Sequence, residues 1–452
     1  NLYIRVIMMA NKQTLFCGTN ADFLSAELTK EANESNSGVA FRIPSLVNVD
    51  GTLVAAIDKA HVPTDWGFIE IAVRTSTDGG KNWSDIKTIA TPPARVINSD
   101  KENTATAFYI DPCMAVAPNG DIVLLVTYYP ESKGLFNKNM MDKNKVAYAN
   151  FDGKTVPLIY DKDGNFYYVL ESGKVIDKTK SATPYRVNFT DGELYENDKY
   201  VGNIFLNGVN KKVDGGEGTT FGAPLKAVKR SYVFMLRSSD KGATWSKPID
   251  ITGSILNQEK DGYFLGVAPG NAITTKSGRI IFPLYTLKGS VCIYSDDNGN
   301  TWRRNEAVPF TPNIDEWTLA EGPDGNLYSF SRARGYKTTP AAISYDNGIT
   351  WLKTKNAKFK APKCQKNCFI DGEKVYVSHP SKKGRNDGVI STGTFEYDKK
   401  GKCKGIKWSK EDIKINEGFF AYSCMTKIDN NTIGILYEDQ PSSHIVFETI
   451  KL

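Results

Sequence analysis

Residues 76–83 read STDGGKNW, and the same pattern, Ser-x-Asp-x-Gly-x-x-Trp, returns at 238–245 (SSDKGATW), 295–302 (SDDNGNTW) and 344–351 (SYDNGITW). Four fixed positions that include a tryptophan match by chance in only ~10⁻³ to 10⁻² of chains this long at average composition. Four copies therefore mark an internal repeat, and a repeat outranks other signals when a fold is read. In each copy the Asp is suited to accept backbone N–H bonds, the Gly supplies a positive φ, and the Trp plugs the turn into a sheet. These residues stabilise turns and carry no chemistry of their own. Successive copies begin 162, 57 and 49 residues apart, and four strands of about six residues with short turns fill the shorter intervals. One copy per four-stranded blade follows, with radial repetition protecting the strand edges.

The long first interval calls for an insertion, and the segment from about Glu131 to Ala227 supplies it, leaving about 65 residues, near one blade. Within it, FDGKTVPLIYDKDGNFYYVLESGKVI (151–176) shows short β-type runs between Asp-Gly and Ser-Gly turns, followed by VNFTDGELYENDKYVGN (187–203) and a glycine cluster at Asp214–Gly218. Its apolar and aromatic content favours a small β-domain over a disordered excursion. Helical periodicity is confined to a short amphipathic piece near Asp22–Lys30, so the class is all-β, with typical strands at Thr52–Ile57, Asp121–Thr127, Ile280–Leu284, Lys374–Ser378 and Thr432–Tyr437.

With 452 residues, 40% hydrophobic, the chain has the apolar content for a substantial core. No apolar run reaches the length of a membrane span. The net charge is +6, with 57 Lys and Arg distributed along the chain among 51 acidic residues. That balance gives no indication of nucleic-acid binding, and a weak positive field favours small anionic substrates. The seven cysteines are an odd number, so at least one thiol is unpaired unless it bridges two chains. Cys364 and Cys368 lie four residues apart, but with only His61, His379 and His444 available they read as packed or paired structural residues and not as a zinc site. The opening NLYIRVIMMANKQ is interrupted by Arg5 and lacks a small-residue cleavage pattern, so it is not read as a signal peptide. The chain does not begin with Met and is read as part of a longer protein.

Ahead of the first repeat lies Phe41-Arg42-Ile43-Pro44, an Arg set against a proline-fixed strand and placed to project into a central cavity. Together with the repeats it resembles the sialidase family, over the chain from about residue 38 to the end. The resemblance implies a six-bladed β-propeller with a small β-domain inserted in one blade: an N-terminal segment 1–37, a propeller of 38–130 and 228–452, and an inserted domain 131–227. It also implies three arginines that grip a sialic acid carboxylate. The first is Arg42. DEWTLAEGPDGNLYSFSRARG (315–335) supplies Glu316 and then Arg332, with Arg334 as near rival, and SHPSKKGRNDGVIS (378–391) supplies Arg385. Bidentate guanidinium groups suit a planar carboxylate as no lysine does.

In this family the nucleophile is a tyrosine, where other glycosidases use a carboxylate; a neutral phenol avoids repulsion with the substrate anion. GFFAYSCMTKI (418–428) puts Tyr422 in that role, with Glu316 accepting its proton; Tyr437 and Glu321 are the weaker alternatives. The acid/base carboxylate is expected in a loop after the first Arg, and in AAIDKAHVPTDWGFIEIAV (55–73) Asp65, 23 residues on, is preferred to Asp58, which caps or orients that loop. Lys59 stands where many relatives have an Arg contacting the sugar's 4-hydroxyl or N-acetyl region, and Asp111, in YIDPCM, matches its usual partner, so an Asp111–Lys59 pair beside the substrate is expected.

The implied activity is retaining exo-α-sialidase hydrolysis of sialylated glycoproteins, glycolipids or oligosaccharides, by a secreted or surface-displayed monomer that needs no metal or cofactor. Two alternatives stand beside it. One is intramolecular transfer releasing 2,7-anhydro sialic acid: the Trp66-Gly67 after Asp65 fits it, while the lack of a Trp after Trp408 opposes it. The other is a silent glycan-binding propeller, which has no need of Tyr422 and Glu316 together.

Overall fold

The computed structural model describes residues 10–18, 40–94, 106–208, 222–305, 316–401, 403–441 and 444–452. The amphipathic piece near Asp22–Lys30 and the glycine cluster at Asp214–Gly218 lie outside them. Six antiparallel sheets surround one axis as a six-bladed propeller. Blade 1 runs from its inner to its outer strand as Ala40–Val49, Thr52–Ala60, Ile69–Ser76 and Lys87–Ala90. Blade 2 is Phe108–Val116, Ile122–Tyr129, Tyr232–Ser238 and Ile249–Asp250. Blade 3 is Leu265–Val267, Ile280–Thr286, Gly289–Ser295 and Arg303–Arg304, and blade 4 is Trp317–Glu321, Leu327–Ser331, Ala341–Ser344 and Leu352–Lys353. Blade 5 is Asn367–Asp371, Lys374–Lys382, Asn386–Tyr397 and Cys403–Trp408. Blade 6 takes Ala421–Asp429, Thr432–Glu438 and His444–Lys451 from the end of the chain, and its outer strand is Ala10–Cys17 from the beginning. The N-terminal segment, expected to stand outside the propeller, thus closes it, pairing antiparallel with the last strand from Cys17↔His444 to Ala10↔Thr449.

Each inner strand has one neighbour within its own blade, so the backbone groups on its axial side need other partners. Buried polar side chains meet part of that need. Ser45 donates to Gly270 O at 2.6 Å and accepts from Met114 N at 3.1 Å. Gln365 donates to Pro269 O and Ser423 O at 3.2 and 3.1 Å and accepts Ser423 N–H at 3.0 Å, while Asn367 accepts Met425 N–H at 2.8 Å. Strands of blades 1, 2, 5 and 6 are stitched together in this way.

The four repeats all connect the third strand of a blade to its fourth. In the first, Ser76 Oγ donates to Asp78 at 2.8 Å and accepts Gly80 N–H at 3.0 Å, Asp78 accepts Asn82 N–H at 2.9 Å, and the Trp83 indole donates to Gly80 O at 3.1 Å. The same serine and aspartate bonds recur at Ser238/Asp240, Ser295/Asp297 and Ser344/Asp346. These turns also join blades. Trp83 meets Phe447 of blade 6 edge-on at 5.1 Å, Arg237 of blade 2 donates to Asn298 O at 2.8 Å, and Arg279 of blade 3 to Asn347 O at 3.1 Å.

Between the second and third strands of blade 2 the chain builds a separate sheet in which Lys199–Asn203, Glu193–Glu196, Ala182–Val187, Lys174–Asp177, Phe166–Val169, Lys154–Tyr160 and Lys226–Ala227 are neighbours in that order, with Tyr148–Phe151 also paired to Lys154–Tyr160. Blade 2 closes beneath it as though nothing intervened, in continuous register from Tyr232↔Tyr128 to Ser238↔Ile122. The two sheets share one core: Phe205 meets Tyr128 and Tyr232 edge-on at 5.1 and 6.1 Å. Gln258 fixes the entry, accepting the N–H groups of Ala147 and Tyr148 at 2.7 and 3.1 Å.

Gly80 and Gly51 separate backbone strain from interblade contact. Both have left-handed φ, +87° and +86°, but a Cβ on Gly80 falls 2.2 Å from the Phe447 ring and one on Gly51 meets nothing within 4 Å. Gly80→Ala is expected to cost about 2–4 kcal/mol, strain plus overpacking, and Gly51→Ala about 1 kcal/mol, in urea-unfolding midpoints. Equal shifts for the two would show that the turn does not press on blade 6.

Candidate active site

Antiparallel alternation sorts the connections to two ends of the propeller. The starts of inner strands, the ends of second strands and the loops from second to third strands share one end, and the four repeat turns lie at the other. Every preferred candidate residue falls at the first end. Three inner strands carry a register shift there, each on a candidate or its neighbour: between Arg42 and Ser45, Ile110 and Cys113, and Ala421 and Ser423. Ile43, Asp111 and Tyr422 take positive φ of 58°, 65° and 30°. Such bulges re-aim side chains, and left-handed backbone at these residue types costs ~1–3 kcal/mol each, which the surrounding structure must sustain.

The Tyr422 hydroxyl donates to Glu316 Oε1 at 2.6 Å and accepts from Arg332 Nη1 at 2.9 Å, while Arg332 also pairs with Glu316 Oε2. Glu316 and Arg332 are held opposite one another by the bond from Arg332 N to Glu316 O, 2.9 Å, which extends blade 4 past Trp317↔Ser331. The Arg42 and Arg385 guanidiniums lie 5.3 and 5.5 Å from the centre of the Tyr422 ring. Three arginines thus converge on one tyrosine. Arg42 also binds Asp65, whose side chain is 36% exposed, so its carboxylate reaches both the pocket and water. Burial and then the Glu316 charge push the Tyr422 phenol above its ordinary range, against the pull of the three arginines, so it is protonated at neutral pH.

One expectation is corrected: Lys59 does not meet Asp111. It pairs with Glu70 at 3.1 Å and donates to Thr88 at 3.0 Å, because it opposes Phe41 in the strand register, whereas Asp58 opposes Arg42 on the other face. Asp111 has Asp58 for its neighbour instead, donating its N–H to Asp58 Oδ1 at 3.2 Å. The rivals fall away from the cluster. Arg334 is exposed beyond the strand end at Ser331, Glu321 accepts Lys276 N–H at 2.7 Å at the far end of its strand, and Tyr437 donates to Glu448 at 3.1 Å. Cys364 is a packed residue in contact with Ile43, Ala421 and Tyr422, and Cys368 lies in the core of blades 4 and 5.

Glu438 was not anticipated. It ends the second strand of blade 6, is wholly buried, lies 3.3 Å from Arg42 Nε and accepts Ile43 N–H at 3.0 Å. Burial, with a smaller push from the Asp65 charge, raises its pKa, and the Arg42 charge opposes that; burial works against the Arg42 charge too, but Glu438 and Asp65 hold the guanidinium above its ordinary value. In the sequence it stands in GILYED, where an alternating strand gives no sign that its last carboxylate serves a guanidinium almost 400 residues away.

The site end is also propped from blade 2. Trp66, beside Asp65, packs on Phe136 at 4.9 Å, with Lys133 over its indole at 5.6 Å. Phe136 belongs to the segment that leads into the extra sheet.

Residues 214–394 match the BNR repeat-like domain family. The chain is 27% identical to an anhydrosialidase of Macrobdella decora, over 91% of this chain and 59% of that one, and 24% identical to sialidase B of Streptococcus pneumoniae, over 92% and 64%. It spans about three fifths of the length of these two proteins. The crystal structure of the intramolecular trans-sialidase of Ruminococcus gnavus aligns with a TM-score of 0.75 at 25% identity, covering 92% of this chain and 95% of that one.

Asp58 and Asp111 provide a pH test. Burial raises both carboxyls well above the ordinary carboxylate range, reinforced at Asp58 by Asp111 and at Asp111 by Glu316. The folded chain therefore holds protons that the unfolded chain releases, and stability falls as pH rises from the ordinary range, ~4, towards the raised values. Asp58→Asn keeps the acceptor for Asp111 N–H without the charge. Its melting temperature relative to wild type is expected to rise between about pH 5 and pH 7.5; a constant difference would show that Asp58 does not carry this pH dependence.

Proposed function

The chain belongs to the sialidase family, and on that premise we propose that it is a retaining exo-α-sialidase acting through a tyrosyl-enzyme intermediate. One observation carries the reading: a neutral phenol, Tyr422, bonded to a carboxylate, Glu316, at 2.6 Å among three guanidinium groups. A packing tyrosine needs neither the carboxylate nor the cations.

In this reading Arg42, Arg332 and Arg385 bind the substrate carboxylate, and its arrival displaces the contacts they make with one another's partners. Tyr422 Oη attacks the anomeric carbon, and its proton passes to Glu316. The bond to the aglycone breaks as Asp65 protonates the departing oxygen. Asp65 then takes a proton from water, the water oxygen attacks the same carbon, and the bond to Tyr422 breaks with Glu316 returning the phenolic proton. Two displacements give retention. Glu438 orients Arg42 and holds its charge; Asp58 steadies the Asp111 bulge, and Asp111 faces the substrate.

The insertion 131–227 enters and leaves at the site end of blade 2 and props the Asp65 loop through Phe136 against Trp66, so it and the rim loops set linkage preference. The substrates, sialylated glycoproteins, glycolipids or oligosaccharides, lie outside cells, which assigns the protein a secreted or surface location. No described helix is long and apolar enough to cross a membrane.

A second reading changes only the last step: the sugar's own 7-hydroxyl replaces water and releases 2,7-anhydro sialic acid. Trp66 and the similarity to an anhydrosialidase favour it; the absence of any Trp after Trp408 favours water. NMR of the products from a 2,3-linked sialoside is expected to show free sialic acid, and 2,7-anhydro sugar as the major product would establish the second reading. Release of a fluorophore from an aryl α-sialoside is expected to fall by at least ~10³-fold in Tyr422→Phe, of the order seen on removing a catalytic nucleophile. Equal rates would refute the nucleophile, and no release by wild type would leave a glycan-binding propeller.

A further inference from the structure

The positive charge of the chain is not spread along it as its totals suggest. Residues 353–414 hold 17 Lys and Arg against 7 Asp and Glu, whereas the remainder holds 40 against 44. The net charge of +6 is thus a basic segment of +10 set in a slightly acidic molecule. That segment runs from the end of blade 4 through blade 5, the blade that carries Arg385.

The structure leaves this charge uncovered. Asp387 pairs with Lys382, Asp371 with Lys427 and Glu396 with Lys407, while Glu373 accepts the Tyr397 hydroxyl and Asp412 accepts Ser391. Five of the segment's seven acids are therefore engaged, and the surplus is basic. Arg334, Lys337, Lys358, Lys360 and Lys383 are exposed, and none of them has an ion-pair partner among the described residues.

Packing gathers these groups on one surface that reaches the site. Ala357–Ala361 pairs with Lys337–Thr339 as a small two-stranded ribbon lying over blade 5. Its inward residue Phe359 stacks on His379 at 4.6 Å and meets Trp408 of the outer strand at 5.0 Å. Alternation along the strand then turns Lys358 and Lys360 outward together. At the other end of the ribbon, Tyr336 donates to Ser381 O at 2.8 Å, tying it to the turn that bears Lys382, Lys383 and Arg385. A band of unneutralised ammonium and guanidinium groups extends from a substrate-binding arginine across the ribbon.

We propose that this band is a docking surface for the anionic chain of a multiply sialylated glycan, holding neighbouring acidic sugars while one terminal sialic acid occupies the site. The proposal rests on the sialidase reading for its choice of occupant. Charge complementarity and continuity with Arg385 carry it: a flexible, exposed lysine array suits a polymer of spaced charges, whereas a single sialic acid is already gripped by the arginines. Attraction of this kind raises encounter rates ~10–10³-fold and is screened beyond ~10 Å at 0.1 M salt.

The test compares wild type with K358E/K360E, both exposed positions remote from the chemistry. Binding to immobilised, multiply sialylated mucin is measured in about 20 and about 300 mM NaCl, alongside kcat/KM on the same mucin and on an aryl α-sialoside. At low salt the variant is expected to lose about fivefold or more in mucin binding and in kcat/KM on mucin, to approach wild type at high salt, and to match it throughout on the aryl sialoside. Equal mucin binding by the two proteins at low salt overturns the proposal. So does wild-type binding to a DNA duplex as tight as to mucin, which would make the band a general polyanion surface. A wild type inactive on the aryl sialoside defeats the hydrolytic reading alone, because mucin binding is read without turnover.

Discussion

A closed ring of blades leaves one problem at its centre: the innermost strand of each sheet has a second edge that no strand of its own blade covers. Among the described residues only Phe108–Val116 of blade 2 finds a strand there, the short parallel pairing with Gly270–Asn271, and the backbone groups on the other inner edges must be satisfied by something other than sheet. In the body of the ring Ser45, Gln365 and Asn367 meet the need with buried side-chain bonds that cross between blades. At one end the strands bulge instead, turning Arg42, Asp111 and Tyr422 toward the axis. The place where regular pairing fails is the place where the chain presents the candidate site residues.

Those groups must balance their own charges away from water. Arg42 leans on Glu438 and Asp65, and Arg332 on Glu316. The carboxylates proposed as reagents, Asp65 and Glu316, are therefore also counter-ions to the arginines. In the proposed mechanism a substrate carboxylate entering among the arginines competes with Asp65 for Arg42, and Asp65, released from that ion pair and open to solvent, takes up the proton that it then gives to the aglycone oxygen.

Much of this was written in short-range pattern. The repeats announce blades because a Ser, an Asp, a Gly and a Trp within eight residues complete a whole turn among themselves. Glu316 and Arg332 were picked out through the family resemblance, and the structure sets them opposite each other across a strand, a turn and a strand. What escaped was decided across blades or by parity. Lys59 and Asp58 are adjacent in sequence and face opposite ways, a distinction that depends on where the Arg42 bulge falls. Glu438 meets Ile43 across 395 residues, beyond any local pattern. The outer strand of blade 6 was missed for a similar reason, since Ala10–Cys17 has its partner at the other end of the chain.

That closure has a consequence for how the protein comes into being. The ring is sealed by its last strand, Tyr422 and Glu438 belong to the last blade, and the guanidinium that Glu438 steadies belongs to the first. During synthesis, blades 1 and 2 emerge with Arg42, Asp58 and Asp111 already close together but lacking their distal counter-charge. Contacts of such separation form late. The proposed nucleophile is delivered only in the step that closes the ring, so on that reading the nascent chain is chemically silent until its architecture is complete.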